Sequence, residues 1–238
     1  MYNNDYRPYG GNYPDAAALA STVSSTMKRV YLKMFLAMLV TAVTSWLAAT
    51  SQAYMTFLFT HTWMMFVLIA AEFGLVIAIS GAINRLSSST ASLLFYLFAV
   101  VNGLTLCTIF YAYSPAAIVK TFFVTAATFG AMSVYGYFTS NDLSKFGNFL
   151  FYALIGLVIA SLVNIFMRSS ALDWIVSIAG VLIFIGLTAW DTQQVKRLAM
   201  VTPEGAVGKL ATIGALTLYL DFINLFLFLL RIFGGNRD

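Results

Sequence analysis

Charged residues are scarce in this chain: Asp, Glu, Lys and Arg make up 9% of its 238 residues, whereas 61% are hydrophobic. An ordinary soluble domain is about 25% charged and about 45–50% apolar, so this composition excludes that class. Proline occurs only four times, at the edges of the apolar runs or outside them, which favours uninterrupted helices over barrel strands. The chain is therefore predicted to be an all-α integral membrane protein.

Cysteine and histidine occur once each, as Cys107 and His61. A lone cysteine cannot form an internal disulfide, and a lone histidine cannot build a multi-histidine metal site. Serine or cysteine catalysis would need a histidine partner, and His61 lies in a link between apolar runs. No basic patch with interleaved exposed aromatics indicates nucleic-acid binding. We expect neither an enzyme nor a nucleic-acid-binding protein, and no cofactor.

Seven apolar runs are long enough to cross a bilayer, since about 20 helical residues at ~1.5 Å rise span a core of roughly 30 Å. They cover residues 30–50, 63–83, 91–111, 116–138, 146–167, 174–192 and 213–233. Residues 1–27 are rich in Asn, Tyr and Gly and are predicted to be a disordered polar tail. Residues 28–234 are predicted to form a single seven-helix membrane domain, followed by a short tail at 235–238.

Small residues four apart occur in two of the runs. Ala126 and Gly130 lie in the fourth, and Gly156 and Ala160 in the fifth. Small residues at this spacing let two membrane helices approach closely, so we expect neighbouring helices at both places.

Basic residues predict the orientation. With a cytoplasmic N-terminus, nine of the 13 Lys and Arg residues fall on the cytoplasmic side, in agreement with the excess of positive charge there in membrane proteins. Seven spans would then leave the C-terminus outside. The last run has a polar stripe that also suits a re-entrant segment, an alternative that would return the C-terminus to the cytoplasm.

The last run, IGALTLYLDFINLFLFLLRIF, carries an acid, Asp221, near its middle. At helical spacing Thr217, Asp221 and Asn224 share one face, and such a polar stripe faces protein or water rather than lipid. In the sixth run Thr188 and Asp191 lie on a similar stripe. We expect the two aspartates to meet in the cytoplasmic half of the bundle.

Two carboxyls in contact share one proton, which makes the pair sensitive to pH; if both ionise, they separate or bind a cation. Purely structural explanations of these acids remain open. Asp191 is also explained as an interfacial acid balanced by Lys196 and Arg197, and Asp221 as the partner of a structural hydrogen bond. A third acid, Glu72 in the second run, is equally explained by a hydrogen bond to a Thr, Tyr or Asn of a neighbouring helix.

Four stretches resemble the Bax inhibitor-1 family of seven-span membrane proteins, in its bacterial branch. They are residues 129–137 (FGAMSVYGY), 142–146 (DLSKF), 185–195 (IGLTAWDTQQV) and 216–234 (LTLYLDFINLFLFLLRIFG). The resemblance implies a fold in which the last helix is central and six others wrap it in two layers. It also implies a multi-pass protein of the bacterial inner membrane. In this family two aspartates, matching Asp191 and Asp221, act as a pH-sensitive latch on a cation leak, chiefly of calcium, which would pass at these acids.

The resemblance implies further residues and partners. One bacterial member is associated with a Glu on the second helix and a nearby Arg, which Glu72 and Arg85 resemble at a somewhat longer spacing. Other relatives are linked to restraint of an ATP-dependent membrane protease, so a non-conducting regulator of another membrane protein is the alternative to a leak. The expected partners are the lipid bilayer and calcium or protons.

An intramembrane aspartyl protease is a remote alternative, because two aspartates on adjacent spans can activate a water. Known enzymes of that class carry a Gly-x-Gly-Asp motif and a Pro-Ala-Leu motif. Here Leu218, Tyr219 and Leu220 precede Asp221, and the last run has no proline.

Overall fold

The computed structural model describes residues 16–234, which are almost entirely helical. The helices are α1 (Ala16–Thr50), α2 (Gln52–Thr60), α3 (Trp63–Ala82), α4 (Ser88–Leu106), α5 (Ile109–Ala112), α6 (Pro115–Phe138), α7 (Ser144–Met167), α8 (Ser170–Val201) and α9 (Val207–Phe233), with a 3-10 turn at Glu204–Ala206. Within this range seven helical segments, with α5 continuing α4, are long and apolar enough to cross a membrane. The predicted all-α membrane fold with seven spans is confirmed.

The first helix begins earlier than the apolar run alone indicates. Residues 16–27, which the sequence analysis assigns to the tail, are helical. Val23 and Met27 are buried on the face of α1 that packs on the bundle, and this burial extends the helix beyond the lipid-spanning run. The remainder of the predicted tail, residues 1–15, and the C-terminal residues 235–238 lie outside the described residues.

Serine side chains mark where several helices start. The hydroxyls of Ser51, Ser87, Ser114 and Ser169 each accept a hydrogen bond from the N–H three residues later, which satisfies a donor that the first helical turn leaves unpaired. Ser169 therefore caps α8.

The last helix is the centre of the bundle. In the most apolar window of α9, 67% of residues are buried, against 6% for α3 and 11% for α7. α9 packs against α1, α4, α6 and α8, whereas α3 packs mainly on α4 and α7 on α8. The predicted arrangement of a central last helix wrapped in two layers is confirmed. The outermost helices present large apolar side chains, such as Phe73 and Phe166, to the surroundings.

The α9 helix runs without a break over 27 residues. At ~1.5 Å per residue this length is roughly 40 Å, more than the thickness of a bilayer core. Because the chain does not turn back within α9, the structure favours a full span over the re-entrant alternative.

The close helix contacts are not at the predicted glycines. A Cβ added to Gly130 or Gly156 would meet nothing within 4 Å, so the predicted close approach of another helix is not found at these two glycines. Gly130 instead lines a cavity between α1 and α6. The tight approaches occur at Gly136, which faces the Ala189 backbone of α8, and at Gly103, where a Cβ would lie 2.8 Å from the Thr41 carbonyl oxygen of α1.

The link between α6 and α7 is fastened to α8. Arg197 Nη2 lies 2.7 Å from Asp142 Oδ1, and Gln193 accepts from the Leu143 N–H at 3.0 Å while donating to the Asn141 carbonyl at 2.8 Å. The Ser144 N–H, and then the Arg197 guanidinium, lower the pKa of Asp142 to about 2. Asp142 is thus ionised at neutral pH, and this end of α8 is held in place.

Candidate functional site

The two predicted aspartates come together between α8 and α9. The carboxyl of Asp191 lies within hydrogen-bonding reach of the carboxyl of Asp221. Asp221 is only 4% exposed, and Asp191 is partly buried. The expected meeting of these acids is therefore found, on the central helix and its most extensive neighbour.

One oxygen of the pair is buried without a hydrogen-bond donor among residues 16–234. Asp221 Oδ2 is buried and receives no hydrogen bond from the described residues. Two ionised carboxylates are both acceptors only, so a hydrogen bond between them requires a proton on one of the two. A proton on either carboxyl permits a hydrogen bond between them, whereas a doubly ionised pair leaves two like charges in contact.

Small residues and stacked rings bring the two helices together. Ser177, Gly180, Phe184 and Thr188 recur at three- and four-residue steps along α8 and are all buried. A Cβ on Gly180 would lie 2.7 Å from the Phe228 ring of α9, and the Phe184 and Phe228 rings stack with centroids 5.9 Å apart.

The predicted supporting polar residues form no hydrogen bond with the two acids in the part of the chain that the structure describes. Thr188 Oγ1 donates to the Phe184 carbonyl at 2.7 Å, and Asn224 Nδ2 donates to the Leu220 carbonyl at 2.8 Å. Each donor is therefore used within its own helix. Thr217 is partly buried, and no hydrogen bond joins it to either acid in the described part of the chain.

Glu72 has polar partners on α4 instead of a cation. Thr105 Oγ1 donates to Glu72 Oε1 at 2.6 Å, and the Asn102 side chain lies close to this carboxylate. Arg85 does not join it: the ion pairs among residues 16–234 are Arg197–Asp142 and Arg231–Asp173. Arg85 lies past the end of α3 at Ala82, so the ten helical residues from Glu72 to Ala82, a rise of roughly 15 Å, separate the two charges.

A buried polar cluster that the sequence analysis missed lies on another side of α9. The Tyr219 hydroxyl donates to Asn102 Oδ1 at 2.8 Å and lies 2.7 Å from Thr41 Oγ1. Thr41 Oγ1 also lies 2.9 Å from the Ala99 carbonyl. Through Asn102 the cluster reaches Glu72. The signal in the sequence is a tyrosine within an apolar helix, because a buried phenol needs a partner.

We expect Tyr219→Phe to destabilise the bundle by about 1–2 kcal/mol, because it leaves Asn102 Oδ1 buried without its donor. Thermal unfolding of the purified protein in detergent measures the effect. Tyr96→Phe is the matched control, since the Tyr96 hydroxyl makes no hydrogen bond among residues 16–234. Equal stability of the two variants would show that the Tyr219 cluster contributes nothing.

The chain matches a known protein family over most of its length. A family model described as "Inhibitor of apoptosis-promoting Bax1" matches residues 23–238. The chain belongs to the Bax inhibitor-1 family. The match includes both aspartates and all of α9, and it confirms the resemblance that the four sequence stretches indicate.

Bacterial relatives of this Bax inhibitor-1 protein align over nearly its whole length. It is 50% identical to "Inner membrane protein YbhL" of Escherichia coli (strain K12) over 89% of this chain and 92% of the relative. A protein of Borreliella burgdorferi is 44% identical over 89% of this chain and 92% of its own length. The protein RP147 of Rickettsia prowazekii is 40% identical over 89% and 90%.

Proposed function

We propose that this protein is a pH-sensitive leak for cations, chiefly calcium, and that the Asp191–Asp221 pair is its gate. The observation that carries the proposal is the contact of the two carboxyls at the α8–α9 interface, where Asp221 Oδ2 is buried and has no donor among residues 16–234. A carboxyl pair in this setting needs a proton to stay together. Its protonation is therefore coupled to the packing of the central helix.

The energy of the coupling is large enough to move helices. Two unit charges ~4 Å apart repel by about 4 kcal/mol at an effective dielectric constant near 20. A few kcal/mol separates the conformations of typical two-state proteins. Loss of the shared proton thus favours separation of α8 from α9 or entry of a cation between the carboxylates.

Calcium suits this pair as a passing ion and not as a resident one. Calcium in a stable site takes six to eight oxygen ligands, and several of them are usually carboxylates. Among residues 16–234 no cluster of three or more His, Cys, Asp or Glu side chains occurs. Two carboxylates attract the ion while holding it weakly enough to release it, which conduction requires.

The inner membrane is the proposed location. The name of the Escherichia coli relative refers to that membrane, and the seven apolar segments fit a multi-pass protein. The distribution of basic residues supports a cytoplasmic N-terminus. In that orientation α8 descends towards the cytoplasm and α9 rises from it, with the acid pair inside the bundle.

Reconstitution tests the proposal. The purified chain is incorporated into liposomes that contain a calcium dye, and calcium entry is recorded at several values between about pH 6 and pH 8, with protein-free liposomes as the control. We expect flux above the control that changes with pH. Absence of flux at every pH would overturn the leak and favour the alternative, a non-conducting regulator of another membrane protein.

A further inference from the structure

A second polar site lies at the end of the bundle where α4 and α9 begin. It is a cavity of about 530 Å³ between α1, α4 and α9, within the range of roughly 300–1,000 Å³ that is usual for small-ligand sites. Its lining includes Arg29, Lys33, Ser88, Ser89 and Ser92. Two cations and three hydroxyls thus converge on one opening, which the acid pair does not share.

The ammonium group of Lys33 is held in place by hydroxyl groups. Its Nζ donates to Ser92 Oγ at 2.6 Å and to Thr212 Oγ1 at 2.6 Å, and the Gly208 carbonyl lies 3.5 Å away. Neither Lys33 nor Arg29 forms an ion pair with an acid of residues 16–234. The positive charge at the cavity is therefore fixed in position and unbalanced by those residues.

Two helix starts add to this positive field. Ser87 caps the Thr90 N–H at 3.0 Å, which leaves the N–H groups of Ser88 and Ser89 in the first turn of α4 without intrahelical acceptors. The start of α9 lies against the same wall, since a Cβ on Gly208 would overlap the Ser88 side chain. The N-terminal ends of both helix dipoles therefore favour an anion here.

The cavity opens beside a lipid-facing wall. Leu93, one of its lining residues, is 69% exposed, and the partly buried Tyr96 lies one turn further along α4. An apolar wall next to a basic pocket fits a ligand with a charged head and a hydrocarbon chain. Basic pockets between membrane helices on the cytoplasmic side bind anionic lipid head groups.

We propose that this cavity binds the phosphate head group of an anionic phospholipid, with Arg29, Lys33 and the first turn of α4 as the head-group contacts and Leu93 beside an acyl chain. The predicted orientation assigns the site to the cytoplasmic leaflet. The proposal does not depend on conduction, because it concerns separate residues and another side of the bundle.

Native mass spectrometry of the detergent-purified full chain tests the site, with phosphatidylglycerol and phosphatidylethanolamine of identical acyl chains as probes. We expect phosphatidylglycerol to bind more tightly, and Arg29→Gln to weaken it about five-fold, as removal of one basic charge near a lipid surface does. Lys28→Gln is the matched control: it removes the same charge one residue away, from a side chain that lines a different cavity. Its phosphatidylglycerol affinity should stay close to that of the wild type.

Three outcomes would overturn the proposal. Equal losses in Arg29→Gln and Lys28→Gln would indicate general attraction to anionic lipid. Equal binding of the two lipids would show that the cavity does not recognise the negative charge of the head group. Inorganic phosphate that binds as tightly as phosphatidylglycerol, and with the same Arg29 dependence, would identify a site for free phosphate. Lys33→Gln, which also breaks contacts inside the bundle, is used only where its thermal unfolding matches that of the wild type.

Discussion

Calcium flux through the Asp221→Asn variant should be nearly independent of pH. Asparagine keeps the shape of the side chain but removes the titrating group, and its amide can donate to the Asp191 carboxyl without a proton from solution. A single-proton equilibrium changes its ratio about ten-fold per pH unit. We therefore expect the flux of the variant to vary less than about two-fold between pH 6 and pH 8, measured in liposomes with a calcium dye.

A matched change elsewhere on α8 separates the gate from general effects of charge. Asp173 lies in the first turn of α8, and its Oδ1 is 3.6 Å from Arg231 Nη1 at the exposed end of α9. Asp173→Asn removes one carboxylate from the same helix but leaves the buried pair intact. It should keep the pH profile of the wild type. A wild-type profile in Asp221→Asn as well would contradict the proposed latch.

The double variant Asp191→Asn/Asp221→Asn tests whether the two acids act as one unit. Groups in direct contact give strongly non-additive effects, whereas independent sites give additive ones. We expect the double variant to lose no more pH dependence than either single variant.

The number of membrane-spanning helices and the helix faces that carry the two acids follow directly from the sequence, because both depend on the local pattern of apolar and polar residues. Lipid has no hydrogen-bonding partners for the backbone, so each long apolar run must become a helix. The stripes that contain Asp191 and Asp221 follow from the helical period. Their contact was predictable because a buried carboxyl on one helix needs a partner on another. The central position of α9 came from the family resemblance, and burial in the structure agrees with it.

The start of α1 could not be read from hydropathy. Residues 16–27 are too polar to be recognised as part of a membrane-spanning segment, yet Val23 and Met27 are spaced by four and pack on the bundle. Two inward-facing side chains in such a stretch are a weak pattern, and the energy that orders them comes from tertiary packing.

Partners across helices were the least predictable feature. The family resemblance implies that Arg85 lies near Glu72, but Arg85 lies beyond the end of α3 at Ala82, and Thr105 supplies the hydrogen bond to Glu72 instead. The apolar run around Tyr219 does not indicate which helix supplies the partner of its hydroxyl. Which hydroxyl faces which carboxylate depends on the rotation of several helices about their axes, and a single sequence does not encode that rotation in a readable form.

Glycine spacing illustrates the same limit and leads to the largest expected loss of stability. A Cβ on Gly136 would lie 2.8 Å from the Ala189 carbonyl carbon and closer still to its oxygen, whereas a Cβ on Gly130, on the same helix, would meet nothing within 4 Å. Backbone atoms cannot swing aside as a flexible side chain does. We expect Gly136→Ala to cost about 3 kcal/mol or more in the free energy of unfolding, at the upper end of overpacking effects.

Gly130→Ala provides the comparison for this loss, since it adds the same methyl group to α6 where space is free. Alanine favours a helix over glycine by up to about 1 kcal/mol, so this variant should be as stable as the wild type or more so. The stabilities of both variants are measured by thermal unfolding in detergent, with the fraction of protein that remains monodisperse as the signal. Equal stabilities would show that α6 and α8 are further apart than the structure has them.

Because Ala189 precedes Asp191 by two residues, any Gly136→Ala protein that folds must displace α8 beside the acid pair. The calcium flux of Gly136→Ala should therefore depend on pH differently from that of the wild type. The Gly130→Ala variant should keep the pH dependence of the wild type.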